Sequence, residues 1–283
     1  MKSYAKINIG LNILNKRDDG YHNIETIFIP IDVHDTIEVS SSDSIIIESN
    51  IDWISNNDNI CYKVAKYLFE KHDIKRGVRI FINKHIPIGA GLGGGSSNAA
   101  TLLKILNFLY NLNLTLENQK EIALLFGSDV PFFLKNGIAY ALGRGEELTY
   151  LNIEFPFYVV VVYPNISIST KWAYENFKEK EEPKKIGYAS LFSEAIKNKQ
   201  LFKDIFKNDF EDIVFRRYAG LISIKNVLYE KNAFFASLSG SGSSLFGLYE
   251  SKQDALRAFE AFKSRFKVFI SEPNFLIKYC ERE

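Results

Sequence analysis

Polar and apolar residues alternate from position 3 to 14. Tyr4, Lys6, Asn8 and Gly10 fall on one face of a predicted strand and Ala5, Ile7, Ile9 and Leu11 on the other. A turn over residues 15–22, built on Asp19-Gly20, leads to a second strand at 24–31; Asp-Gly favours a tight hairpin turn. Two further alternating segments follow at 36–39 and 44–48. Helical spacing then takes over from 59 to 71 (Ile60, Val64, Ala65, Leu68, Phe69), with Asn57 or Asp58 as the expected cap. Residues 77–84 alternate as a strand. Residues 98–111 return to helical spacing at Leu102, Leu103, Ile105, Leu106 and Leu109. Thr115 caps a short predicted helix at 117–126, and 139–145 supplies a strand and a loop.

Near Leu151 the pattern changes. Residues 157–163 form a buried strand by their valine run, ended by Pro164, and a helix starts around Trp172 and Tyr174. A charged stretch at 178–186 reads as a solvated loop. Helical patterns cover 189–197 and 213–229. Strands are expected at 234–238 and 245–249, an amphipathic helix at 251–266, and strands at 267–271 and 275–279 to close the sheet. This mixture predicts an α+β chain.

Composition narrows the classes of function. Of 283 residues, 46% are hydrophobic and 24% charged, ordinary for a globular protein, and the net charge of +1 gives no electrostatic reason to bind nucleic acid or an anionic membrane. The longest apolar run, 155–163, is far short of a membrane span. No signal-peptide pattern is visible in residues 1–20. Cys61 and Cys280 lie far apart and the four histidines are scattered, so no protein-held metal site is expected, and the cytoplasm is the expected compartment. Oligomeric state has no signature in the chain.

The chemistry concentrates in Pro87-Ile-Gly-Ala-Gly-Leu-Gly-Gly-Gly-Ser-Ser-Asn-Ala-Ala100, with five glycines between Gly89 and Gly95. A glycine loop between a strand and a helix start folds its amides around a ligand, and the unpaired N–H groups with the helix dipole favour a phosphate. A flexible linker is the plainer reading, but linkers are not flanked by a strand and a helix. The loop lacks the Gly-Lys-Ser/Thr ending of a P-loop. Gly89-x-Gly91-x-x-Gly94 matches a dinucleotide fingerprint literally, but Pro87 interrupts its approach and Glu117 is the nearest downstream acid. Two single residues carry competing readings. Lys6 is either a solvated edge lysine or functional; Asp129, in Gly127-Ser-Asp-Val-Pro-Phe-Phe133, is either a turn-capping or a catalytic carboxylate.

These blocks together resemble the GHMP kinase superfamily, which phosphorylates small-molecule alcohols. The resemblance is carried by Tyr4-Ala-Lys-Ile-Asn8, Arg17-x-Asp-Gly-Tyr-His22, Gly91-Leu-Gly-Gly-Gly-Ser-Ser-Asn-Ala-Ala100, Gly127–Phe133, Asn208-Asp-Phe-Glu211 and Leu238-Ser-Gly-Ser-Gly-Ser-Ser244, in the family's order. It is nearest to the branch whose substrate is a small-molecule cytidyl diphosphate of the non-mevalonate isoprenoid pathway. The resemblance implies a two-domain fold, with a ribosomal protein S5 domain 2-like half at 1–154 and a ferredoxin-like half at 155–283, and a cleft between them. It implies Asp129 as general base or orienting acceptor, with Lys6 beside it. ATP would sit on Pro87, Gly89, Ala90, Gly91, Leu92, Gly93, Gly94, Gly95, Ser96 and Ser97, its adenine near Asn59 and Lys84. Substrate would meet Asn8, Tyr21, His22, Tyr174, Gly240 and Gly242, the aromatic groups sandwiching and reading cytosine. Gly94-Gly95 stand where many relatives carry serine, so Mg²⁺ is expected on ATP phosphates and water rather than on protein ligands. The rival readings are a GHMP kinase for homoserine, mevalonate or a sugar, and a catalytically inactive nucleotide-binding relative.

Overall fold

A computed structural model of the chain describes residues 1–135 and 137–275. The first half comprises β1 (Lys2–Lys16), β2 (His22–Ser42), β3 (Ile45–Ser49), α1 (Ile60–Lys71), β4 (Gly77–Asn83), α2 (Gly94–Leu109), α3 (Leu116–Leu124), β5 (Ile138–Leu142) and β6 (Glu147–Leu151). Its sheet runs β3-β4-β2-β5-β6, with β1 also paired to β2. The β1–β2 pair is antiparallel, Asn8 opposite Phe28 and Ala5 opposite Ile31. Alternation predicts two strands where β2 is one. The register slips between Tyr4 (opposite His34) and Ala5, so Asp32 and Val33 bulge out and reset the period of two.

Helices α1 and α2 cover one face of this sheet through Val64, Leu68, Leu102 and Leu106, packed on Ile37, Ile80 and Ile82. Asn59, rather than Asn57 or Asp58, caps α1, accepting from the Cys61 amide. Thr115 caps α3 as expected. Helix α2 starts four residues earlier than its apolar spacing suggests, because glycines at its first turn leave no periodic signal.

The second half comprises β7 (Tyr158–Tyr163), α4 (Thr170–Glu175), α5 (Tyr188–Lys197), α6 (Gln200–Ile205), α7 (Glu211–Arg217), α8 (Gly220–Glu230), β8 (Phe235–Leu238), β9 (Leu245–Tyr249), α9 (Lys252–Phe262) and β10 (Lys267–Ser271). Its sheet, β10-β7-β9-β8, is antiparallel throughout and has the strand order of a ferredoxin-like unit. The single helix expected at 213–229 is two, broken at Tyr218, whose ψ of 67° leaves the helical region. The strand expected at 275–279 falls largely outside the described residues.

Alternate residues of β7 separate two cores. Val160 and Val162 pack with Leu221, Leu228 and Phe262 under α8 and α9. Val159 and Val161 join Ala5, Ile7, Ile9, Ile29, Phe192 and Phe246. This second cluster is shared by both sheets, so the halves are cemented rather than hinged.

The charged stretch at 178–186 is not simply solvated. Lys180 donates to Asn12 Oδ1 (2.7 Å) and pairs with Asp209 (2.6 Å). Glu25, fully buried, accepts from the amides of Ile186, Gly187 and Tyr188 and from Asn12 and Tyr140. Burial alone would raise the Glu25 carboxyl, but those hydrogen bonds outweigh it and hold it below the ordinary glutamate value. Glu25→Gln should therefore cost about 3 kcal/mol at pH 7, since several buried donors lose their acceptor. A depressed carboxyl stabilises above its unfolded value of 4.5 and stops doing so as pH falls through the folded value. The gap between wild type and variant in urea denaturation should accordingly close as pH drops below 4.5.

Candidate active site

A cleft of about 1050 Å³ opens between the halves. Its floor is the glycine loop, which is fixed from both sides. Lys6 of β1 donates its amide to Leu92 O (3.0 Å). From the second half, Ile168 donates to Gly89 O (3.2 Å), Ser244 to Ala90 O (3.1 Å) and Ser239 Oγ to Gly91 O (2.9 Å). The loop thus lies against residues 239–244, and Asn208 holds that second loop by donating to the carbonyls of Leu238 and Gly240 (both 2.8 Å).

Gly93 takes a left-handed conformation (φ 69°) just before α2. The first intrahelical bond is Ser97 N to Gly93 O, which leaves the amides of Gly94, Gly95 and Ser96 without a helical acceptor. All three residues line the cleft, as do Pro87, Gly89, Ala90, Gly91, Leu92 and Gly93. Ser97 does not: it is buried and accepts from Ser3 Oγ (2.8 Å). Gly242 also lies off the cleft, against Leu238, whereas Gly240 lines it.

Lys6 is 4% exposed, so it is no solvated edge lysine. Its ammonium donates to Asn8 Oδ1 (2.6 Å), lies 4.9 Å above the Phe28 ring and sits 3.5 Å from Asp129 Oδ2. Asn8 is oriented in turn by donating to Thr26 Oγ1 (3.1 Å). Asp129 precedes the short 3₁₀ turn Val130–Leu134 but makes no side-chain capping bond there. With a third of its side chain exposed, its carboxylate faces the cleft. A buried cation beside a half-open carboxylate places an attraction for an anion and a proton acceptor at one point.

At the opposite wall Tyr174 and His22 stack on each other, centroids 5.1 Å apart and planes 13° apart. A base cannot enter between these two rings without parting them, which corrects any picture of them as two walls of one slot. Burial pushes the His22 imidazole below its usual 6.5 against the opposing pull of Glu179, so it is neutral at pH 7. Burial first, and then the nearby Asp129 charge, push the Tyr174 hydroxyl up, so it stays a donor. Tyr21 is 54% exposed, with the Arg144 guanidinium 4.7 Å over its ring.

Asn59 and Lys84 line the cleft but are already engaged. The Asn59 amide caps α1 and donates to Ile54 O (2.9 Å), and Lys84 forms a buried ion pair with Asp35. The sequence reading missed Arg144, Ser128, Thr170, Ser241 and Trp53, all cleft-lining. Ser128 and Ser241 lay inside blocks that carried the resemblance, and Arg144 carried a signal of its own, a charge set between two glycines. Among the described residues, no three His, Cys, Asp or Glu side chains gather as a metal site.

Residues 59–137 match the family described as GHMP kinases N terminal domain, and residues 189–268 match GHMP kinases C terminal. A 4-diphosphocytidyl-2-C-methyl-D-erythritol kinase of Chlorobium phaeobacteroides (strain BS1) is 43% identical over 291 residues, covering 98% of each chain. Its namesake in Chlorobaculum tepidum is 41% identical over 278 residues, covering 97% of each. A solved 4-(cytidine 5'-diphospho)-2C-methyl-D-erythritol kinase superposes with a TM-score of 0.82 at 31% identity, over 97% of this chain and 100% of the other. A solved mevalonate kinase, at TM-score 0.70 and 18% identity over 97% and 99%, shares the fold.

Proposed function

The chain belongs to the 4-diphosphocytidyl-2-C-methyl-D-erythritol kinase family of GHMP kinases, and from that premise we propose that it moves the γ-phosphoryl group of ATP to the 2-hydroxyl of 4-diphosphocytidyl-2-C-methyl-D-erythritol. The products are the 2-phosphate and ADP, a step of the non-mevalonate isoprenoid route. The observation that carries this reading is the Lys6–Asp129 pair, 3.5 Å apart in the same cleft as Gly94, Gly95 and Ser96, whose amides lack a helical acceptor.

Phosphoryl transfer asks for positioning and charge stabilisation more than for covalent chemistry. The amides at the start of α2 hold the triphosphate. Asp129 accepts the proton of the attacking hydroxyl, and Lys6 draws the transferring group toward it. Mg²⁺ would come with the triphosphate and would supply neutralisation of the charge developing on the transferring group. Tyr21 and the outer face of Tyr174 offer stacking surfaces for cytosine, with neutral His22 and Arg144 at its edge. We divide the chain at 154/155, between β6 and β7, and place the enzyme in the cytoplasm beside its nucleotide donor. No helix among the described residues is long and apolar enough to cross a membrane.

Release of ADP should be followed with ATP, Mg²⁺ and the cytidyl alcohol, in parallel with homoserine, mevalonate and galactose. Turnover is expected only with the cytidyl alcohol. Turnover with another of the four would remove the base from the account of Tyr21, and no turnover by folded protein would remove the reaction.

A further inference from the structure

Asp35 lies within β2, fully buried, and the reaction above gives it no part. Its carboxylate accepts from the amides of His85 (2.7 Å) and Ile86 (2.8 Å), which lead from β4 into the glycine loop. It also accepts from Asn98 Nδ2 (2.8 Å), on the first turns of α2 beyond the loop, and forms an ion pair with Lys84. Asn98 Oδ1 in turn accepts from Lys84 Nζ (3.1 Å), and Asn98 Nδ2 donates to Ser3 Oγ (2.9 Å), which donates to Ser97. One carboxylate therefore grips the chain immediately before and immediately after the glycine run. Gly94 rests on this knot, where a Cβ would come within 2.9 Å of Ile86 Cγ2 and 3.1 Å of Lys84 Nζ. Of the three donors of the Lys84 ammonium, Asp35 and Asn98 take two among the described residues, and Lys84 itself lines the cleft.

We propose that Asp35 is a positioning residue for ATP, fixing the separation of the two ends of the phosphate loop and aiming the remaining Lys84 N–H at the nucleotide. The proposal rests on reading the glycine run as the ATP phosphate site. Asn in place of Asp keeps the shape but presents an NH₂ where donors converge, so the His85–Ile86 amides or the Lys84 ammonium lose an acceptor. Lys84, 5% exposed in its side chain, then sits as a buried cation without its carboxylate, held by Asn98 alone of its two partners, and swings toward the cleft that it lines.

The test is a KM-against-kcat split. In Asp35→Asn, the KM for ATP should rise about tenfold to a hundredfold, the scale of one charge-assisted hydrogen bond. The KM for the alcohol and the kcat at saturation of both substrates should stay within about threefold. Asn98→Ala, which spares the Lys84–Asp35 ion pair but removes the Asn98 bonds to Asp35, Lys84 and Ser3, should raise the ATP KM by about threefold or more, and calorimetric ADP binding should weaken in parallel. A role in stability alone would lower the melting temperature without this split. An ATP KM within twofold of wild type in folded Asp35→Asn overturns the proposal; so does unchanged ADP binding in Asn98→Ala, should the first variant not fold. Wild-type protein that binds no ADP would instead remove the phosphate-site reading, and the proposal with it.

Discussion

Asp129→Asn is expected to lower kcat about 10²–10⁴-fold, the range attached to a positioned proton acceptor, with both KM values within about threefold. The carboxamide has the same size, and Asp129 caps nothing, so the turn it precedes should stay intact. What disappears is the charge 3.5 Å from Lys6 and the capacity to take a proton. Lys6 remains tethered to Asn8 and Phe28, which keeps the local geometry. An interaction used mainly in the transition state shows in kcat rather than in KM. Steady-state ADP release, with circular dichroism as the check on folding, decides it: a kcat within threefold of wild type would falsify the assignment of Asp129 as the proton acceptor.

The second large effect belongs to Gly91→Ala. Gly91 has φ of 76°, and a Cβ there would land inside the van der Waals shell of the Ser239 carbonyl oxygen and 3.1 Å from the Gly242 amide nitrogen. Those neighbours are backbone and cannot rotate aside. The two loops must part, breaking Ser239 Oγ to Gly91 O and Ser244 N to Ala90 O. A left-handed alanine adds about 1–2 kcal/mol of its own. A total of about 3 kcal/mol or more is expected, on the order of 5–10 °C in Tm for a chain of this size. ATP binding should fall by at least about a hundredfold, because the loop that carries the phosphate amides has moved. Gly95→Ala is the control for melting alone, since Gly95 lines the phosphate site: its Cβ meets nothing within 4 Å, and the position is helical. Calorimetry on the pair and ADP titration of Gly91→Ala give the comparison; equal melting of both variants with wild type would show that the two loops are not in contact.

What could be read from the chain follows from how local each cause is. The polar face of β1 was legible because alternation is a property of adjacent residues, and it placed Lys6 beside Asn8 correctly. The glycine loop was legible because its composition has few other uses. Three features were hidden for identifiable reasons. The bulge at Asp32 and Val33 resets alternation, so β2 looked like two strands. Tyr218 interrupts a helical pattern that stays apolar on both sides, so α7 and α8 looked like one. Asp35 and Glu25 looked like ordinary polar positions on strands, since all their partners but Asn12 lie 49 to 163 residues away. The aromatic wall shows the same limit: the resemblance brought His22 and Tyr174 to one site, but their contact with each other is set by α4, which no local pattern places.

The core shared by the two sheets has a consequence for how the chain is made. The face of β1 carrying Ala5, Ile7 and Ile9 leaves the ribosome first, yet it is completed by Phe157, Val159, Phe192 and finally Phe246. At about 5–20 residues per second, roughly 10–50 s separate Ile9 from Phe246 during synthesis. For that interval three inward positions of β1 have only their first-half neighbours, such as Ile29 and Leu92, and lack the side chains that close the core over them. The nascent first half is thus sticky by construction, and a ribosome-bound holdase that covers β1 until the last strands emerge would raise the yield of active enzyme without altering the finished molecule.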